Sequence, residues 1–190
     1  MCRGQGLFEV RTTCSLMTHV DKTRREAARD VIVKAFTVTH DRAVSSTDCI
    51  RELLGWDEDG FHQDVPGVWL VSQSKPGEMI GAAILQRAPT TRRKIGGIMM
   101  EYIAIKPYCG GGTKAWEMVQ QGVLVCRQEG FDSLYSAVDL TMTGEEWRRD
   151  ALQAHERWGF KETDAADWNR CGFHKYSADS TIQYMKLAVN

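Results

Sequence analysis

GIMMEYIAIKPYCGGGTKAWEMVQQGVLVCRQEG, residues Gly97–Gly130, reads as a strand, a glycine turn and a helix, and the rest of the chain is placed around it. Apolar and β-branched residues run through Tyr102, Ile103, Ala104 and Ile105, and Pro107 then removes a ladder donor. Beyond the turn, Trp116, Val119, Val123 and Cys126 recur at helical spacing, and Gly130 behind Glu129 supplies a C-terminal stop. Between them Gly110, Gly111 and Gly112 let the backbone approach a ligand closely. The N–H groups that open a helix have no partner within it, and together with the helix dipole they favour an anion. A glycine triplet by itself is read equally well as a flexible connection, so the anion reading needs a second signal.

That signal is ALQAHERWGFKE, Ala151–Glu162. IAIKPYCGGGTKAW and AHERWGFKE together resemble the GNAT superfamily of acyl-CoA-dependent N-acyltransferases. The family's loop pattern is R/Q-x-x-G-x-G/A after a strand, and its later signature is a helix ending in Tyr-x-x-x-Gly-Phe. Gly112 matches the first loop glycine and Gly159-Phe160 the later pair, while Cys109, Lys114 and His155 stand where the family has Arg or Gln, a small residue, and Tyr. The resemblance implies an α/β (α+β) fold: a mixed, mostly antiparallel sheet of six or seven strands flanked by helices, with a central βαβ unit carrying the pyrophosphate loop. It implies acetyl-CoA as co-substrate and an amine-bearing small molecule or peptide as acceptor. Ile103, Ala104 and Ile105 would line the acyl and pantetheine parts, and Cys109, Gly110, Gly111, Gly112, Thr113 and Lys114 the pyrophosphate. A homodimer is compatible with it.

Bulk properties narrow the alternatives. The 190 residues fit one domain, 1–190, with a sizeable core. With 24 basic and 25 acidic residues there is no global case for nucleic acid, so an anion site must be local. No stretch is long and apolar enough for a membrane span, and MCRGQG lacks a signal peptide's apolar core. Cys2, Cys14, Cys49, Cys109, Cys126 and Cys171 form no CxxC, and the five histidines no HxxxH. The expectation is a cytoplasmic protein with reduced thiols and no metal.

In chain order, LFEVRT (Leu7–Thr12) is expected as a first strand, and Asp21 as the cap of a helix with Ala28, Val31, Ile32, Ala35 and Phe36 on its apolar stripe and a solvated KTRRE face. A second helix is expected over Asp48–Trp56. Val68–Gln73 and Met79–Gln86 flank SKPGE as a hairpin, followed by a solvated PTTRRK turn. The central strand is Ile98–Ile105; Phe131–Val138 returns to the sheet; Gly144–Trp158 forms a helix with Trp147, Ala151, Ala154 and Trp158 on one side. A last hairpin runs from Phe160 to Ile182–Val189, with DWNRCGFHKYSADS between as irregular chain.

Acyl transfer to an amine needs a neutral amine, a polarised carbonyl and a fate for the thiolate. A lysine-like amine with a pKa of about 10.4 costs about 4.6 kcal/mol to deprotonate at pH 7, at about 1.36 kcal/mol per unit. A base is therefore expected. Glu101 on the central strand is the candidate, placed by alternation on the face of Met99, Ile103 and Ile105; Asp139, past the next strand, is the rival, with a turn cap as its other reading. His155 stands where the resemblance puts the acid for the thiolate, and at an ordinary pKa of about 6.5 it needs a neighbour such as Glu156 to stay protonated. Tyr102, Tyr135 and Tyr176 are other donors, each also readable as a packed aromatic. Lys114 or Lys106 would meet phosphate. Asp41 and His40 in one loop, and Asp164, Asp167, Trp168 and His174 in another, would receive a cationic acceptor. Two further readings stay open: a degenerate module that binds CoA or a protein partner without catalysis, and a hydrolase using Cys109 at the helix N-terminus.

Overall fold

β4 (Val68–Lys75), β5 (Glu78–Arg87) and β6 (Ile98–Ile105) form the middle of a seven-stranded sheet. The computed structural model describes residues 12–17, 22–39, 56–57, 60–61, 67–88, 96–106, 108–109, 111–140, 145–173 and 181–189. With β1 (Thr13–Met17), β7 (Ser133–Asp139), β8 (Lys161–Glu162) and β9 (Ile182–Ala188), the sheet order is β1-β4-β5-β6-β7-β9-β8. Every neighbouring pair is antiparallel except β6 and β7. A parallel pair needs a crossover, and the helix Gly111–Glu129 supplies it. A separate two-stranded ribbon joins β2 (Trp56–Asp57) to β3 (Gly60–Phe61).

Two layers of helix cover the sheet. On one face lies α1 (Lys22–Thr39), whose Ala28, Val31 and Ile32 pack with Leu70, Ala82, Ile84 and Ala104. On the other lie α2 (Gly111–Glu129) and α3 (Glu145–Arg157), where Met118, Val119, Val123 and Cys126 meet Leu85, Ile98, Met100, Leu134 and Val138. Gly122 lets α2 come this close, since a Cβ there would lie 2.9 Å from Leu134 Cδ2. Gly130 and Gly159 end α2 and α3 at φ of 76° and 86°. After Gly159 the Phe160 N–H donates to the His155 carbonyl at 3.0 Å, and the Phe160 ring turns into the core.

Some sequence expectations are corrected, and others fall outside the described residues. A strand occupies Thr13–Met17; of the expected Leu7–Thr12 only Thr12 is described, and it lies outside the strand. Asp21, the PTTRRK turn and most of Asp48–Trp56 lie outside the described residues, while Trp56 belongs to a strand rather than a helix end. Arg25, assigned to a solvated face, is 1% exposed. It stands three residues before Ala28 and seven before Ile32, so helical geometry puts it on their stripe. Trp116, grouped by spacing with Val119, Val123 and Cys126, is 37% exposed where those three are buried. The run after Asp164 contains a helix, α4 (Ala165–Cys171), capped by the Asp164 carboxylate, which accepts from the Asp167 N–H at 2.7 Å, and closed by Gly172 at φ 98°.

Candidate active site

The parallel strands part company near their start. β6 and β7 pair only at Ile98 with Leu134 and Met99 with Tyr135. Beyond that, β6 stays registered with β5 as far as Ile105 opposite Gly81, and β7 stays with β9 as far as Asp139 opposite Ile182. The centre of the sheet therefore opens as a wedge, with Ser136 Oγ 3.3 Å from the Met100 carbonyl at its apex. Lys106 N donates to the Ile80 carbonyl at 2.8 Å. Counting back by strand alternation, the main-chain groups of Ile105 and Ile103 turn away from β5 and into the wedge. Ala104 instead pairs with Ala82 and packs its methyl under α1.

A bulge lies on the wedge's rim. The register with β5 slips between Ala82 and Ile84, and Tyr102 sits at φ 53°, uncommon for a residue with a side chain. The extra residue flips the alternation. Ile98 and Met100 face α2 before the bulge, and Ile103 and Ile105 face it afterwards. Glu101 lies opposite Ile84 in the α1 layer, on the same side as Met99 but not, as alternation alone predicted, as Ile103 and Ile105. Its side chain is 7% exposed.

The wedge leads to the N-terminus of α2. Tyr108 is fully exposed at φ 63°, and the Cys109 N–H donates to the Lys106 carbonyl at 3.2 Å. Gly112 and Thr113 in the first helical turn are exposed, and a Cβ on Gly112 would meet nothing within 4 Å. That glycine is not demanded by packing, and the space beside it suits an anion on the helix's first N–H groups. Pro107 and Gly110 lie outside the described residues. Lys114 turns its ammonium to Thr12 and, at 3.4 Å, to Glu117. Lys106 and Lys75 bind Glu78 at 2.8 and 2.7 Å, which holds that exposed carboxyl down to about 2.

No protein-family model matches the chain, and no curated protein matches its sequence. Solved structures do match. A GNAT-family protein from Desulfovibrio desulfuricans is similar at 16% identity and a TM-score of 0.63, over 94% of this chain and 100% of that one. The aminoglycoside N(6')acetyltransferase of Legionella pneumophila is similar at 12% identity and a TM-score of 0.60, over 96% and 95%. The Salmonella typhimurium protein yncA, solved with its cofactor acetyl-CoA, is similar at 14% and 0.55, over 93% and 94%. The chain has the GNAT fold.

Within that fold the remaining candidates take distinct places. His155, on the last turn of α3, is 9% exposed, with Nε2 3.0 Å from Ser136 Oγ and Nδ1 2.8 Å from the Ala151 carbonyl. Burial pushes its pKa below the usual value, and the carbonyl contact offsets this only partly. Because a carbonyl only accepts, Nδ1 carries the proton, and the neutral ring presents a lone pair at Nε2. A proton for the thiolate is not available from this tautomer. Asp139 ends β7 on the side shared by Tyr135 and Ala137.

In the second expected acceptor loop, the described residues are tied into the fold. Asp164 caps α4, and Trp168 is fully buried among Tyr135, Phe173 and Tyr184. Asp167 accepts from Tyr135 at 3.2 Å, Thr163 at 3.1 Å and Lys186 at 2.9 Å, with Arg170 beside it. Tyr135 accepts in turn from the Cys171 thiol at 2.9 Å, and burial raises its pKa. His40, Asp41, His174 and Tyr176 lie outside the described residues. Sequence reasoning missed Ser136, whose only signal was a polar residue inside SLYSAV.

Proposed function

We propose that this chain is an acetyl-CoA-dependent N-acetyltransferase that moves an acetyl group to a primary amine of a small molecule or peptide by direct attack on the thioester. The observation that carries this reading is the wedge between β6 and β7 running from a buried apex to an open helix N-terminus at Gly112. The neighbour solved with acetyl-CoA and the aminoglycoside acetyltransferase among the similar structures support the ligand and the acceptor class.

Bound acetyl-CoA would supply an activated acyl group on a thiol whose ordinary pKa is about 8.5, so the thiolate can depart near neutrality without a strong acid. The first N–H groups of α2 around Gly111, Gly112 and Thr113 would hold the pyrophosphate. The main-chain groups of Ile103 and Ile105 would hold the pantetheine and orient the carbonyl. Glu101, on the α1 side, would accept the amine's proton, with Asp139 at the end of β7 favouring a cationic acceptor.

The test has two arms. Acetyl-CoA and CoA should each raise the melting temperature while ATP does not, since a ligand held only by the native state stabilises it. A panel of polyamines, aminoglycosides, amino acids and peptides should then yield acetylated product with release of free thiol. Stabilisation without thiol release on any amine would identify a binding module instead. Absence of stabilisation would overturn the assignment of the cradle.

A further inference from the structure

Direct amine attack leaves one pair of groups at the wedge apex without a role. Ser136 Oγ lies 3.0 Å from the His155 Nε2 lone pair, and the Ala151 carbonyl fixes the ring at 2.8 Å from Nδ1. A hydroxyl within hydrogen-bond reach of a base, with the base oriented by a third group, is the arrangement of an activated nucleophile. Both side chains are buried, Ser136 at 3% exposure. Ser136 pairs with Met185, whose side chain packs in the α2 layer, so the hydroxyl lies on the face of the sheet that carries the cradle helix. Its other partner, the Met100 carbonyl at 3.3 Å, belongs to the strand residue next to where β6 and β7 separate. The hydroxyl has one proton and two acceptors, and the closer is the imidazole.

We propose that Ser136 and His155 form a nucleophile and base pair that takes the acyl group from the thioester when no amine is present, making the chain an acyl-CoA hydrolase as well. This rests on the reading that acetyl-CoA occupies the wedge. In the first step Ser136 Oγ bonds to the thioester carbonyl carbon while its proton passes to His155 Nε2; the carbon–sulfur bond breaks, and the thiolate takes that proton to leave as free CoA. The enzyme then carries an acetyl ester on Ser136. In the second step water, losing a proton to Nε2, attacks the ester carbonyl; the serine oxygen leaves and takes the proton back, releasing acetic acid. No oxidant, metal or further reactant enters. The Ala151 carbonyl, facing Nδ1–H, stabilises the imidazolium that forms in each step.

The test mixes the full chain with acetyl-CoA alone, quenches with acid and maps peptides by mass, while a thiol reagent follows CoA release. The expected result is one acetyl group on the peptide containing Ser136, or, where deacylation is the faster step, steady thiol release that Ser136→Ala and His155→Gln each lower by a factor on the order of 100. The double variant should lose no more than either single one, because the two act as a unit. Ser136→Cys, which keeps a nucleophile in place, should restore an acyl adduct and guards against a loss caused by misfolding. Stabilisation of the wild-type chain by acetyl-CoA with neither adduct nor thiol release, or with thiol release that Ser136→Ala retains, overturns this inference and leaves the transferase reading standing. Absence of stabilisation by acetyl-CoA overturns both.

Discussion

The two faces of the splayed sheet hold their ionisable groups in different ways. Under α1, Glu101 sits in an apolar layer of Ala28, Ile32 and Ile84, with Arg25 buried on the same helix stripe. Under α2 and α3, burial pushes the His155 pKa down, and the ring is tied to Ser136 and Ala151. In the proposed reaction the first face would offer Glu101 to an incoming amine, and the second would meet the thioester with the His155 and Ser136 pair. One inserted residue at Tyr102 produces the division, because without it Glu101 would share a face with Ile103 and Ile105. The comparison teaches that a bulge can sort two kinds of chemistry onto opposite sides of one strand.

The largest expected effect tests the α1 face. Glu101→Gln should lower kcat/KM for the best amine by a factor on the order of 100 or more while acetyl-CoA still raises the melting temperature, because only the proton acceptor is lost. An unchanged rate would move the base to Asp139 or to solvent. Next, Gly122→Ala should destabilise the fold by about 1–3 kcal/mol in urea denaturation, since its methyl would press on Leu134 and Leu85 where α2 meets the sheet. Gly112→Val tests the other end of the same helix. It should leave the ligand-free melting temperature nearly unchanged, because that site opens to space, and weaken CoA binding by about tenfold, roughly 1.4 kcal/mol, measured by calorimetry.

The smallest effect separates the two faces by pH. His155 binds its proton more weakly folded than unfolded, so its contribution to stability is complete above the unfolded pKa of about 6.5 and is lost as pH falls from there toward the lower folded value. The slope in that window should be at most about 1.36 kcal/mol per pH unit. Replacing His155 with Gln should flatten melting temperature against pH between about 7 and 5. A wild-type profile already flat there would mean that the His155 ring is solvated.

Much of the frame was legible because it depends on local chemistry. Ile98–Ile105 was read to the residue, since apolar strand formers end at a proline and glycines follow. Gly130 marked a helix end because few other residues hold a positive φ without strain, and Gly159 closes α3 in the same way. Arg25 is buried despite its charge, because its spacing to Ala28 and Ile32 puts it on their stripe. The seven-residue helix α4 is too short for a periodic pattern, and Asp164 and Gly172 at its ends were its only signals. Trp168 is fully buried where the sequence allowed an acceptor contact, because sequence does not say which aromatic faces inward.

What the residues settled unaided is the run of elements from β4 to α3 and the glycine-opened start of α2, because turn chemistry, capping and hydrophobic period act within a few neighbours. The widening of β6 from β7, the flip at Tyr102 and the meeting of Ser136 with His155 came only from the folded chain. Those three depend on how strands far apart in sequence register against one another, and an extra residue in one strand leaves no compositional mark when, as at Tyr102, the residue is an ordinary strand former.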